Sequence, residues 1–129
     1  MTKIPPKVHN SRFVELAQAA KNRIREITVQ ELNEKLTRQE HFYLIDVREA
    51  SEFANGCIPT ALHLSKGIIE RDIEKYIANY DAEIILYCSG GYRSALAADN
   101  LQTMGYTSVA SVSGGLMAWL NEGNAIQPT

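Results

Sequence analysis

Apolar positions recur along this chain with two alternating periods, and the alternation sets out its elements. From Ser11 onward, Phe13, Leu16, Ala17, Ala20 and Ile24 fall at helical spacing, with Asn10 or Ser11 placed to cap the start. Arg25-Glu26-Ile27 reads as a short strand. Thr28 and Glu31 then form a capping box that opens a second helix, whose apolar face is Leu32 and Leu36. Phe42-Tyr43-Leu44-Ile45 is a near-continuous apolar run, as in a strand covered on both faces, and it stops at the charged stretch Asp46-Val47-Arg48-Glu49. Ser51 to Ala54 makes one helical turn closed by Asn55-Gly56, and Ala61 to Leu64 another short strand. Ile69, Ile73, Tyr76, Ile77 and Tyr80 share one face of a third helical pattern. Ile84 to Tyr87 is a buried strand that ends at Cys88. The helical pattern from Ser94 turns Leu96, Ala97 and Leu101 inward and ends at Gly105, a residue suited to a left-handed cap. Val109 to Val112 is a last strand, Ser113-Gly114-Gly115 a turn, and Leu116 to Leu120 a short closing helix.

Strands alternating with helices predict an α/β fold with a mainly parallel sheet and helices on both faces. Residues 1–24 form an arm and an amphipathic helix, 25–123 the folded domain, and 124–129 a tail expected to fray. The first helix could pack on its own domain or mediate a dimer, and packing on its own domain is the stronger expectation. A chain of 129 residues fits one such domain, as a monomer or weak dimer.

Composition narrows the picture by exclusion. With 45% apolar and 22% charged residues and a net charge of −2, the chain is ordinary globular material. It carries no basic surplus for nucleic acid or a membrane surface, and no apolar run of membrane-spanning length. Two cysteines are too few for a disulfide framework and fit a reducing compartment. Met1-Thr2-Lys3-Ile4-Pro5-Pro6 lacks the apolar core of a signal peptide, so a cytoplasmic location is expected. His9, His41 and His63 show no metal-ligand spacing, and no metal is expected. The charges from Glu70 to Lys75 are the solvated face of a helix.

Chemistry concentrates after the strand at Ile84. Cys88 sits at a strand's carboxyl end, just ahead of a helix, where open α/β sheets bind ligands and backbone N–H groups attract anions. Such surroundings favour thiolate, so Cys88 is the candidate nucleophile. Ser89, Gly90, Gly91 and Tyr92 can curl into a nest of inward-pointing N–H groups, and Arg93 adds a permanent charge with a planar fork of donors. Tyr92 is expected at the rim, exposed to a partner. In a parallel sheet, the strand ends at Asp46 and Cys88 share one edge.

Taken together, Asp46-Val47-Arg48-Glu49, Glu52-Phe53, Gly56-Cys57-Ile58-Pro59, Tyr87 to Ser94, Gly105-Tyr106, Ser113-Gly114-Gly115 and Trp119 resemble the motifs of a single-domain rhodanese, in order and spacing. The resemblance runs from about Ile27 to Glu122 and implies a rhodanese-like three-layer domain with a five-stranded sheet. It also implies a sulfurtransferase. Cys88 would take sulfane sulfur from thiosulfate or a similar donor as a persulfide, then pass it to a thiophilic acceptor: cyanide in an assay, a protein or small thiol in cells. Backbone N–H groups from Ser89 to Arg93 would hold the persulfide anion, and no cofactor is implied. Two roles stay open for Arg93: gripping the donor's anionic end, or bracing the loop through a carboxylate. The resemblance casts Asp46 and Arg48, with Ser94, as structural supports of the site.

Cys57 departs from the family, which usually has histidine there. It is either a small buried residue or a resolving thiol for Cys88. Two further functions stand as alternatives: a sulfur-relay or redox-sensing module docking on a protein, and, ranked lower, phosphatase or arsenate-reductase chemistry. Those last relatives carry one more residue between Cys and Arg than the four found here.

Overall fold

Ile84, Leu86 and Cys88 point to one side of a central strand while Ile85 and Tyr87 point to the other, and this two-residue alternation divides the core in two. The computed structural model describes residues 8–129, so the arm before Val8 lies outside the described residues. Its five strands are β1 (Arg25–Ile27), β2 (Tyr43–Asp46), β3 (Leu62–His63), β4 (Glu83–Tyr87) and β5 (Ser108–Val112). They form one parallel sheet in the order β1-β5-β4-β2-β3. The helices are α1 (Ser11–Lys21), α2 (Val29–Thr37), α3 (Ala50–Phe53), α4 (Ile69–Asp72), α5 (Tyr92–Thr103) and α6 (Gly115–Asn121). One core layer joins Ile69 of α4 and Ala97, Ala98 and Leu101 of α5 to the sheet. The other joins Leu32 of α2 and Leu116 and Trp119 of α6 to the opposite face. The expected α/β architecture is therefore present, three layers included.

Local chemistry sets the helix boundaries. Asn10 caps α1 by accepting from Phe13 N at 3.1 Å, and the Thr28–Glu31 capping box is complete. Helix α1 packs on α5 through the fully buried Ala17 and Ala20, whose small side chains allow close approach. The Arg23 fork grips Asp99 at 2.6 Å, and Gln102 Nε2 donates to Arg23 O at 3.0 Å.

Four expectations are corrected. Leu16 is 59% exposed, because the alanines of α1 take the inner face. The third helical pattern breaks into α4 and a 3₁₀ turn over Ile73–Lys75. The tighter turn keeps Ile69, Ile73 and Ile77 buried but turns Tyr76 outward, and Tyr80 is also exposed, its hydroxyl donating to Glu74 at 2.8 Å. Helix α5 begins at Tyr92, two residues before the pattern from Ser94, and buries Ala95 and Ala98 while Leu96 is only half-buried. Finally, the tail is tied down. Cys57 and Gln127 exchange backbone bonds of 2.9 and 2.8 Å, and Trp119 Nε1 donates to Ala125 O at 3.0 Å.

Candidate active site

The chain leaves β2 toward β3 on one side of the sheet and leaves β4 toward β5 on the other. The adjacent carboxyl ends of β2 and β4 therefore form a switch point, where the two following loops diverge and leave a crevice. Asp46 and Tyr87 are paired at this edge, one residue short of Cys88.

Asp46 is fully buried, and its charge is answered from several directions. Arg48 Nη2 donates to Oδ2 at 2.7 Å, Arg48 N to Oδ1 at 2.9 Å, and Tyr87 Oη to Oδ2 at 2.7 Å. Arg48 Nη2 also reaches Gly56 O at 2.8 Å, and Tyr87 Oη accepts from Ile58 N at 3.0 Å. His63 Nε2 donates to Arg48 O at 2.8 Å. Burial first, and then the Asp46 charge, pushes the Tyr87 phenol well above its ordinary value. This network ties the loop after β2 to β4 and to the 56–58 segment.

The loop after β4 is built with its amides inward. Cys88 Sγ receives Gly91 N–H at 3.1 Å and Ser94 N–H at 3.4 Å, and it lies 3.4 Å from Ser94 Oγ. Ser94 Oγ lies in turn 2.8 Å from Ser111 Oγ on β5, both residues fully buried. A thiolate only accepts, so with Cys88 ionised Ser94 donates to sulfur and Ser111 donates to Ser94. The loop's carbonyls are used elsewhere: Leu116 N donates to Cys88 O at 2.8 Å and Met117 N to Ser89 O at 3.0 Å. Those bonds require the start of α6 to lie directly against the loop. A Cβ on Gly115 would collide with Cys88 O and sit 2.7 Å from Ser89 O. Gly91 caps α5 at φ +99°, where a side chain is strained.

Arg93 meets Glu52 of α3 as a two-pronged pair, Nη1 to Oε1 at 2.6 Å and Nη2 to Oε2 at 3.0 Å. The bond to Glu52 first, helped by the nearby Cys88, raises the guanidinium pKa further. Of the two roles left open for Arg93, the geometry displays the brace. Tyr92 is not an open rim residue. Its ring meets Phe13 at 5.8 Å and His9 at 5.2 Å edge-on, and Lys21 Nζ lies 4.8 Å from its centroid. A cleft of about 570 Å³ opens over Cys88, Ser89 and Gly90, and its walls include Phe13 of α1, Tyr92 of α5 and Met117 and Ala118 of α6.

Of the loop residues expected to cradle the sulfur, Gly91 supplies an amide, while Ser89, Gly90, Tyr92 and Arg93 line the cleft. Ser94, expected only as support, touches the sulfur with two atoms. Cys57 is absent from that lining. Its thiol is buried, faces Gln127 Nε2 at 3.9 Å and is pushed up in pKa by that burial, and both cysteines are free.

The model of the rhodanese-like domain matches residues 28–122. This chain belongs to the rhodanese-like domain family. YtwF of Bacillus subtilis (strain 168), a candidate sulfurtransferase, is 40% identical over 99 residues, which are 77% of this chain and 93% of YtwF. A sulfurtransferase of Allochromatium vinosum is 34% identical over 100 residues, 78% of this chain and 92% of that one. Among solved structures, a Rhodopseudomonas palustris protein of unknown function, suggested to be a tyrosine phosphatase, superposes with a TM-score of 0.78 at 26% identity. That match covers 96% of this chain and 99% of the other.

Several parts of this rhodanese-like site escape a reading of residues alone. Ser111 left a trace, as the one polar residue in the apolar run Val109 to Val112. Glu52 stood in a recognised motif with no role attached. Phe13 and Met117 looked like helix-face residues, and only the fold brings them to Cys88.

Proposed function

We propose that this rhodanese-like domain transfers sulfane sulfur through Cys88. The thiolate attacks the outer sulfur of a donor such as thiosulfate, the donor's S–S bond breaks, and sulfite departs with the electron pair. Cys88 is left as a persulfide anion. A thiophilic acceptor, cyanide in an assay or a thiol, then takes that sulfur and restores the thiolate. Neither half-reaction calls for a metal or organic cofactor, and two unpaired thiols suit a reducing, cytoplasmic setting.

The carrying observation is the arrangement around Cys88 Sγ. Two N–H groups and one hydroxyl converge on it, and the loop's carbonyls bond to α6. Fixed donors of this kind stabilise charge without reorganising during the reaction. Phosphoryl transfer is a poorer fit. It wants a general acid for the leaving oxygen, while the neighbouring carboxylates of Asp46 and Glu52 are both gripped by arginines.

Steady-state thiocyanate formation from thiosulfate and cyanide, run beside hydrolysis of p-nitrophenyl phosphate, tests this. Parallel double-reciprocal lines that vanish in Cys88→Ser support sulfur transfer. Thiocyanate formation that survives Cys88→Ser, or Cys88-dependent phosphate release without thiocyanate, overturns it.

A further inference from the structure

The cleft over Cys88 is poorly matched to a small, doubly charged inorganic donor. Its about 570 Å³ falls within the range of pockets that take small organic molecules, far more room than thiosulfate fills. Among the described residues, Arg93 is the one Lys or Arg lining it, and both of its terminal nitrogens are committed to Glu52. Lys21 is not among the lining residues, and its Nζ lies over the Tyr92 ring and 3.6 Å from Glu26. An anion entering here gives up water with Arg93 already engaged, which is costly. Most of the wall is apolar: Phe13 and Tyr92 in edge contact, with Met117 and Ala118 of α6, while His9, Glu52 and Asn121 add polar edges. Aromatic rings and a flexible thioether are surfaces that adapt to an apolar body. Phe13 comes from α1, so part of this wall lies outside the matched family segment.

We infer that the preferred donor is an organic persulfide, R–S–SH, whose R group is apolar and lies between Phe13 and Met117. This rests on the sulfur-transfer reading above and narrows its substrate. The step balances without an added oxidant or reductant. Cys88 thiolate attacks the outer sulfur, the Cys88 S–S bond forms, and the donor's S–S bond breaks with its electron pair leaving on R–S⁻. The proton of the outer sulfur passes to R–S⁻, giving R–SH and Cys88–S–S⁻.

Two donors that share the reacting S–SH group and differ only in body isolate the effect: methyl and benzyl hydropersulfide, with thiosulfate as third. Single-turnover sulfur loading of the full chain, read by intact mass, is expected to run about tenfold faster with benzyl than with methyl, and slowest with thiosulfate. In Phe13→Ala the benzyl-to-methyl ratio falls toward one. Met117→Ser, on α6, lowers the same ratio independently of any loss of α1 packing. Equal benzyl and methyl rates in the wild type, a ratio unmoved by both variants, or fastest loading from thiosulfate overturns the inference while sulfur transfer stands. No loading from any donor overturns sulfur transfer itself.

Discussion

Arg93 and Glu52 form a two-pronged ion pair that joins α5, which follows β4, to α3, which follows β2, with oxygen–nitrogen distances of 2.6 and 3.0 Å. Both side chains are about three-quarters buried, so the pair is sheltered without being sealed. It fixes the first turn of α5, whose later residue Ser94 touches the sulfur. Arg93→Lys keeps the charge and loses the fork, so it should slow Cys88 sulfur loading by about tenfold and leave the fold intact. Glu52→Gln should do much the same, and the double variant should be little worse than either, with a coupling energy of about 1 kcal/mol. Additive losses would mean that Arg93 acts on the donor directly.

Gly115 is the contact point between α6 and the Cys88 loop. Gly115→Ala places a methyl group against two backbone carbonyls that have no flexible side chain to move aside. Activity should fall by about a hundredfold or more, whereas the same change at Gly123, where a Cβ meets nothing within 4 Å but φ is +84°, should cost only stability. Thiocyanate assays beside urea melts separate the two effects.

Ser94 and Ser111 supply a buried chain of hydroxyls ending at sulfur. Ser94→Ala removes one donor to the thiolate, a bond worth about 1 kcal/mol, and should slow iodoacetamide alkylation of Cys88 at neutral pH by roughly fivefold. Ser111→Ala should show a smaller slowing in the same direction. An alkylation rate unchanged in both variants would leave the amides alone as the stabilising groups.

Asp46 and Tyr87 govern stability and its alkaline limit. Asp46→Ala strands the buried Arg48 charge and should cost about 3–5 kcal/mol in urea unfolding. Tyr87 titrates higher in the folded protein than its ordinary value of 10.0, so the folded state binds that proton more tightly. Its contribution is whole below pH about 10 and is lost as the pH rises further. Thermal midpoints of the wild type should therefore fall more steeply above pH about 10 than those of Tyr87→Phe, and parallel declines would contradict this assignment.

The strand–loop–helix around Cys88 was legible because an apolar run stops at a cysteine, and two glycines then free the backbone. The Asp46 ion pair was legible for a similar reason: charges cluster where an apolar strand ends. What stayed hidden depends on contacts distant in sequence. Glu52 and Arg93 are forty-one positions apart, and nothing local selects that pairing. Leu16 looked inward because its spacing fits the apolar stripe, yet Ala17 and Ala20 let α1 sit closer to α5 with Leu16 outside. Tyr92 opens α5 with a residue that serves the cleft and not the core, which masked the true helix start. The tail has no periodicity to read, and its anchors are the Gln127 bridge to Cys57, an acceptor for the Trp119 indole, and Thr129 Oγ1 donating to Phe53 O at 2.9 Å.

Sulfur transfer of the proposed kind requires that the sulfur reside on Cys88 between donor and acceptor. Intact and peptide mass measurement after incubation with a sulfane donor tests it directly, in wild type, Cys88→Ser and Cys57→Ser. Wild type and Cys57→Ser should gain one sulfur on the Cys88 peptide, and cyanide should remove it; Cys88→Ser should gain none. A sulfur found on Cys57, or retained in Cys88→Ser, would contradict the account.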